Sequence, residues 1–301
     1  MQPLLIGAIL VLLFSGCERK AVVAPIAAAA PQPKPIPPLA IRPADFAEPA
    51  SGDSVPLNSA WDLKIAWVPV EKIEPLGLKD FFSTVPETNS VARAELARSP
   101  LHGLARTYTN VLLSVHEGTR AGTSSSAVAR NLVDRLNKAS VVEIMLPPPL
   151  NTIATNEARG FVMQNQTIVV TTTPSGAPVT TNVSLGSQIT MRTICDGKGS
   201  IQVETAIRLD LFNGYGRDPT NPDESLDRPA PMLDVAALGT RTVIASSDVL
   251  LLGGPVQTNV TVSVDRAKYL SDIPGLGRFF TKVHVQTNRF RTLVIIQKRG
   301  E

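Results

Sequence analysis

Residues 201–211, IQVETAIRLDL, alternate without a break. Ile201, Val203, Thr205, Ile207, Leu209 and Leu211 fall on one face; Gln202, Glu204, Ala206, Arg208 and Asp210 fall on the other. A period of two is that of a β-strand and is incompatible with a helix. The pattern predicts one face buried or turned to lipid and one face wet and charged. From Val141 onward the same period recurs, predicting further strands at 141–146, 160–171, 178–184, 187–195, 240–246, 249–252, 257–264, 282–287 and 290–297. Asp196-Gly197-Lys198-Gly199 and Pro174-Ser175-Gly176 are hairpin turn signals between neighbouring strands. Residues 213–234, rich in Pro, Gly and Asp, predict a long polar loop.

The residues before this half differ. Residues 3–14 form one apolar run, too short for a membrane-spanning helix and suited to the core of a secretory leader. Leu13-Phe14-Ser15-Gly16-Cys17 is similar to the bacterial lipobox, which implies cleavage before Cys17 and its acylation, and Glu18 after it implies sorting to the outer membrane. Residues 21–56 hold nine prolines and ten alanines, a composition that cannot bury enough surface to offset its ordering entropy. They are expected to form a tether between lipid and folded body. Trp61–Val68 predicts a strand ending at Pro69, and Ser124–Ser126 followed by Val128, Leu132, Val133 and Leu136 predicts an amphipathic helix over 126–138. Residues 102–117 suit helix or strand, with helix preferred.

Several functional classes are excluded. The net charge of +3 is spread without a basic block, so no nucleic-acid partner is expected. Cys17 and Cys195 cannot build a disulfide framework or a cysteine zinc site, and Cys195 is expected to be a small buried hydrophobe. His102, His116 and His284 lack ligand spacing, so no metal or cofactor is expected. There is no nucleophile elbow, P-loop, zincin motif or dinucleotide glycine pattern. We therefore expect no catalytic residues and no enzyme; a periplasmic hydrolase lacks a nucleophile–base pair.

Three stretches together resemble the C-terminal domain of the secretins, the ring-forming outer-membrane channels of type II and III secretion and type IV pilus systems. The first is Val141–Pro147 with Asn151-Thr152 and Ala158. The second is Leu185–Met191 running through the Asp196-Gly197 turn into 201–211. The third is Val249–Leu252 ending in Gly253-Gly254, then Asp272-Ile273-Pro274-Gly275-Leu276-Gly277-Arg278-Phe279-Phe280, then a final strand at 290–296. Gln297-Lys298 departs from the family's Thr-Pro, and 57–100 has room for at most one of the family's preceding ring modules.

The resemblance implies a mainly β fold with a smaller α+β N-terminal part, its antiparallel strands contributed to a shared oligomeric barrel. The expected organisation is a lipoprotein signal peptide at 1–16, a lipid-anchored tether at 17–56, an α+β lead-in at 57–140 and a secretin-like β domain at 141–301. The implied function is a homo-oligomeric gated channel in the outer membrane, with a periplasmic portion, for protein secretion or pilus export. Its partners would be further copies of the chain, lipid held through Cys17, an inner-membrane secretion or pilus machine and the exported protein. Gly253 and Gly254 would bend a barrel strand, and Asp272, Ile273, Pro274, Leu276, Gly277 and Phe280 would form an interfacial element at the membrane rim. The second reading is a secretin-derived lipoprotein without a pore that acts as a scaffold or binding module in an envelope complex.

Overall fold

The computed structural model describes residues 39–44, 58–83, 87–139, 143–153, 156–173, 177–195, 200–216, 230–266 and 281–299. All lie within one compact unit, Ile36–Glu301. Cys17, both predicted hairpin turns, the side chain of Cys195 and the run containing Asp272, Ile273, Pro274, Leu276, Gly277 and Phe280 fall outside the described residues.

The chain runs β1 (Arg42–Pro43), β2 (Ser59–Pro69), α1 (Lys79–Ser83), α2 (Ser90–Ala97), α3 (Leu101–Thr107), β3 (Leu112–Glu117), β4 (Arg120–Ser125) and α4 (Ser126–Lys138). It continues through β5 (Glu143–Met145), β6 (Leu150–Thr152), β7 (Ala158–Thr172), β8 (Pro178–Cys195), β9 (Ser200–Gly216), β10 (Ala230–Ala245), β11 (Asp248–Arg266) and β12 (Thr281–Lys298). Among the described residues these strands make two sheets. One has the order β1-β4-β11-β12-β2-β5, with β6 also pairing β2; the other has the order β3-β10-β9-β8-β7. Every pairing is antiparallel except that of β3 with β10.

The apolar pattern dictates how the sheets stack. Trp61, Leu63, Ile65, Leu250, Leu252, Val294 and Ile296 of the first sheet meet Ile189, Met191, Ile201, Val203, Ile207 and Leu209 of the second in a dry interior. The intervening residues Ala66, Val68, Val249, Leu251, Leu293 and Ile295 are buried too, on the other side of the first sheet. There α4 covers them with Ala129, Leu132 and Leu136, and α1 with Phe81 and Phe82. The outer side of the second sheet carries Val235 and Ala237 under Ala92, Leu96 and Leu101 of α2 and α3. The result is a helix–sheet–sheet–helix stack with three apolar layers. Local chemistry starts the helices where it should. The Ser125 side chain accepts from Val128 N at 3.5 Å ahead of α4, and the Asn89 side chain accepts from Ala92 N at 2.9 Å ahead of α2.

The mainly β class stands, and α4 and β9 lie where the periodicity puts them, whereas several local expectations are corrected. The 102–117 segment is split: Tyr108, extended, ends α3, and Leu112–Glu117 becomes a strand because β10 supplies it a parallel ladder. The polar loop is shorter than 213–234, since β9 runs to Gly216 and β10 begins at Ala230. The pairs of strands predicted at 178–184 with 187–195, 249–252 with 257–264, and 282–287 with 290–297 are single strands, β8, β11 and β12. Part of the expected tether, 39–44, lies on the body: Leu39 N donates to Gly77 O at 3.2 Å, and β1 pairs β4. The charged face of 201–211 is wet only in part: Arg208 and Asp210 are buried beneath α2 and Ser99, while Glu204 is half-exposed.

Gly186 lets β8 continue where a break was expected. Its φ is +137°, and a Cβ there would sit 2.0 Å from Val162 O on β7. β8 pairs β9 only from Gly186 onward, so the preceding half of the β7–β8 hairpin leaves the sheet and folds Ile168, Val170, Val183 and Leu185 over the α3 side. Gly103, inside α3, has nothing within 4 Å of its Cβ position. Gly186→Ala should therefore destabilise the protein by about 3 kcal/mol or more, while Gly103→Ala should stabilise it by up to about 1 kcal/mol. Urea denaturation midpoints of the two variants check the pair.

Candidate functional site

The face of β9 that carries Arg208 and Asp210 is a two-residue step on a strand, so both side chains rise from the same side. Arg208 and Asp210 are 4 % and 1 % exposed, and Glu95 of α2 is 1 % exposed. Arg208 Nε donates to Asp210 Oδ2 at 3.0 Å, and Nη1 donates to Glu95 Oε1 at 3.4 Å. Ser99 Oγ donates to Asp210 Oδ1 at 2.7 Å and its oxygen accepts from Leu101 N at 3.3 Å, which anchors the start of α3. From the solvent side, Arg98 Nη1 donates to Glu95 Oε2 at 3.0 Å. Two carboxylates and two guanidinia thus hold α2 and the start of α3 on the second sheet in one geometry, charge-balanced, with Glu95, Arg208 and Asp210 buried and Arg98 closing the group at the surface. The alternation of 201–211 signals a charged face but not its cover, because Glu95 is 113 positions from Arg208.

Two further features surround this layer. β7 is the outermost strand of its sheet among the described residues, and pairs with β8 alone. Around Val169 and Val170 its edge is capped: Val169 N donates to Tyr215 Oη at 2.7 Å, and Asn110 Nδ2 donates to Val170 O. Earlier in the strand Phe161 and Met163 are 53 % and 38 % exposed. An edge of this kind is a template for another strand. Beyond the sandwich interior, the ends of β2 and β9 and the middle of β12 enclose a cleft of about 810 Å³ with Trp67, Leu211, Phe212 and Phe290 on its apolar walls and Asn213, Gln286 and Asn288 among its polar ones.

Of the sequence-predicted site residues, Gly253 and Gly254 are described. They lie within β11 beside a shift of register between Gly253 and Val256. A Cβ at Gly253 would come within 2.8 Å of Phe82 Cε1 and 2.9 Å of Phe81 Cε1; one at Gly254 would lie 3.2 Å from Leu238 Cδ2 and 3.3 Å from Thr292 Cβ. The side chain of His284 lies outside the described residues; of the other two histidines, His102 lies in α3, while His116 Nε2 lies 3.4 Å from Asp234 Oδ2, a carboxylate that also accepts from Asn213 Nδ2 at 2.6 Å. Among the described residues no cluster of three or more His, Cys, Asp or Glu could hold a metal, and no helix is long and apolar enough to cross a membrane.

The sequence matches the family described as "Secretin: Bacterial type II and III secretion system protein" over residues 135–299, more than half of the chain. No curated protein matches it. Among solved structures, Aeromonas hydrophila ExeD is 15 % identical with a TM-score of 0.28, over 80 % of this chain and 45 % of that one. The β-barrel of the InvG secretin domain from the Salmonella SPI-1 injectisome is 14 % identical with a TM-score of 0.29, over 81 % and 62 %. The V. cholerae type IV competence pilus secretin PilQ is 15 % identical with a TM-score of 0.29, over 81 % and 58 %. The chain spans roughly half the length of these structures.

Removing one member of the buried charge network leaves a dry guanidinium short of a partner. Asp210→Ala should cost about 3–5 kcal/mol, whereas replacing Glu95, Arg208 and Asp210 together by Leu, Met and Leu should cost far less. Chemical denaturation of the single and triple variants distinguishes a charge network from ordinary packing.

Proposed function

The chain belongs to the secretin family, and from that premise we propose that it is an outer-membrane secretin subunit, assembling into a homo-oligomeric ring that serves protein secretion or pilus export. The match over 135–299 carries this reading. The partly uncapped edge of β7 supports it, because a ring of copies offers each such edge a neighbouring strand. The work is passage and gating, without bond chemistry. Acylated Cys17 would hold the chain in the membrane after removal of 1–16, with the tether to 56 and the lead-in of 57–140 placing the β domain, 141–301, in the ring. Gly253 and Gly254 would serve assembly by letting β11 pack closely beside its register shift. Asp272, Ile273, Pro274, Leu276, Gly277 and Phe280 would form the interfacial rim. An inner-membrane machine and an exported protein complete the set of partners.

One observation favours the second reading, a poreless scaffold in an envelope complex: a single copy already buries much of both sheets, against each other and under helices. Electron microscopy of the full-length protein, extracted from membranes in mild detergent, separates the two. Rings with a central density, persisting as heat- and detergent-resistant multimers on a gel, are the expected outcome; uniform particles of single-copy size would leave the scaffold. Replacing Gly253 by Val should reduce the yield of rings, and replacing Cys17 by Ala should release the protein from the membrane fraction.

A further inference from the structure

Residues 39–44 lie on the body as a short strap. Leu39 N donates to Gly77 O at 3.2 Å and Ala44 N donates to Ala121 O at 3.1 Å; between them β1 pairs Arg42 with Thr123 and Pro43 with Gly122. Leu39 and Ile41, alternate residues of an extended segment, pack against the cluster that holds Leu76, Phe81 and Val249. Ile41 takes the space that Gly122 leaves, where a Cβ would lie 2.7 Å from Ile41 Cγ2. Arg42 Nη2 donates to Asp248 Oδ2 at 2.9 Å. Among the described residues β1 alone pairs the outer edge of β4, whose inner edge is held by β11.

This seat lies far from the point where the strap's own chain resumes. Across the first sheet Arg42 is level in turn with Thr123, Leu250, Ile296 and Leu63, so β1 and β2 stand four strands apart and run in the same direction. Ala44 is level with Ile65, seven residues beyond Asn58. At ~4.8 Å per strand and ~3.3 Å per residue, Ala44 and Asn58 are about 19 Å apart across the sheet and about 23 Å along it, or about 30 Å directly. The direct line is closed, because the second sheet covers one face and α1 and α4 cover the other. A route along one edge and across one end measures about 42 Å on the same spacings. Thirteen residues, 45–57, join Ala44 to Asn58. Drawn out fully they reach at most about 46–50 Å, whereas a free chain of that length spans only about 20 Å. Seating the strap on its own body therefore uses nearly the whole reach of the link. A seat on an adjoining copy offers the same contacts without that constraint, so closure entropy decides between the two.

We propose that the occupant of the β4 seat is a second copy of the chain: in the ring proposed above, Leu39–Ala44 of each copy lies along β4 of its neighbour and clasps the two together. The strap and β4 both precede residues 135–299, so the clasp is separate from the matched family domain. The ring supplies only the neighbour; a pair of copies exchanging straps uses the same seat.

The test uses full-length chains, all carrying Cys195→Ser, extracted from membranes in mild detergent. One chain carries Arg42→Cys and a second, differently tagged, carries Thr123→Cys; the two are produced together and oxidised. Partners in an antiparallel ladder have Cα atoms about 4.5–5.5 Å apart, within the range of a disulfide. A covalent dimer bearing both tags is expected on a non-reducing gel, and neither variant produced alone should give it. One chain carrying both substitutions should give a ladder of covalent multimers. Ile41→Asp, which puts a charge into the apolar seat, should lower the yield of mixed dimer about tenfold or more. If the doubly substituted chain closes on itself as a monomer and the separate variants give no mixed dimer, the strap stays on its own body and the exchange is rejected. Absence of any disulfide rejects it equally, since the strap then does not lie on β4. Intrachain closure in particles that form rings would remove the clasp and keep the channel; mixed dimers with no larger multimer would keep the clasp and remove the ring.

Discussion

The continuous apolar runs Val249–Leu252 and Leu293–Ile296 constrain everything else in the molecule. A strand that is apolar at every position cannot leave either face to water. Leu250 and Leu252 therefore look into the space between the sheets while Val249 and Leu251 look the other way, and the neighbouring run on β12 does the same. The second sheet supplies one cover. The other has to be helical, and α4 with α1 provides it. Because β11 and β12 pair along these runs, Leu251 with Ile295 and Leu252 with Val294, the two demands fall on one patch of sheet. The lead-in helices are in this sense part of the β domain's core.

Where local chemistry determined local structure, the sequence was legible. The helix at Ser126–Lys138 has the bounds its serines and leucines predict, and Ile201–Leu211 lies wholly within a strand. What escaped was decided by distant partners. Glycines read as breaks, at 186 and at 253–254, are places where a strand continues against a close neighbour, Val162 in one case and Phe81 with Phe82 in the other. Leu112–Glu117 has no strand pattern strong enough to overrule a helix; its partner β10 begins 118 positions after β3 does. The charged face of β9 was visible as charged, and its burial was not, since Glu95 and Ser99 arrive from another part of the chain. Candidate lipidation and rim residues, at Cys17 and 272–280, were legible through resemblance to a family and lie outside the described structure.

Covered cations are handled in two ways on opposite sides of the sandwich. Arg208 is locked by carboxylates and a hydroxyl-bonded partner, which leaves it nothing to offer a ligand. Arg120 and Arg291 are supported by ring faces, which hold the guanidinium in place without occupying its donors. The first arrangement fixes a layer through ion pairs; the second packs a charge against apolar rings. The same contrast separates the two ends of β7, where Tyr215 and Asn110 close the backbone around Val169 and Val170 while the stretch with Phe161 and Met163 stays uncovered.

The position of β2 has a consequence for how the chain reaches this state. Its residues Trp61–Pro69 are paired with Lys298–Phe290, so an early strand sits inside the sheet between β5 and the last strand described. Contacts separated by more than 200 residues close late and make folding slow. During synthesis β2 has only its three-residue ladders with β5 and β6 until β12 has been made, and most of its length stays unpaired for that whole interval. A polypeptide of this topology is held open by its own order of strands until the last of them is available.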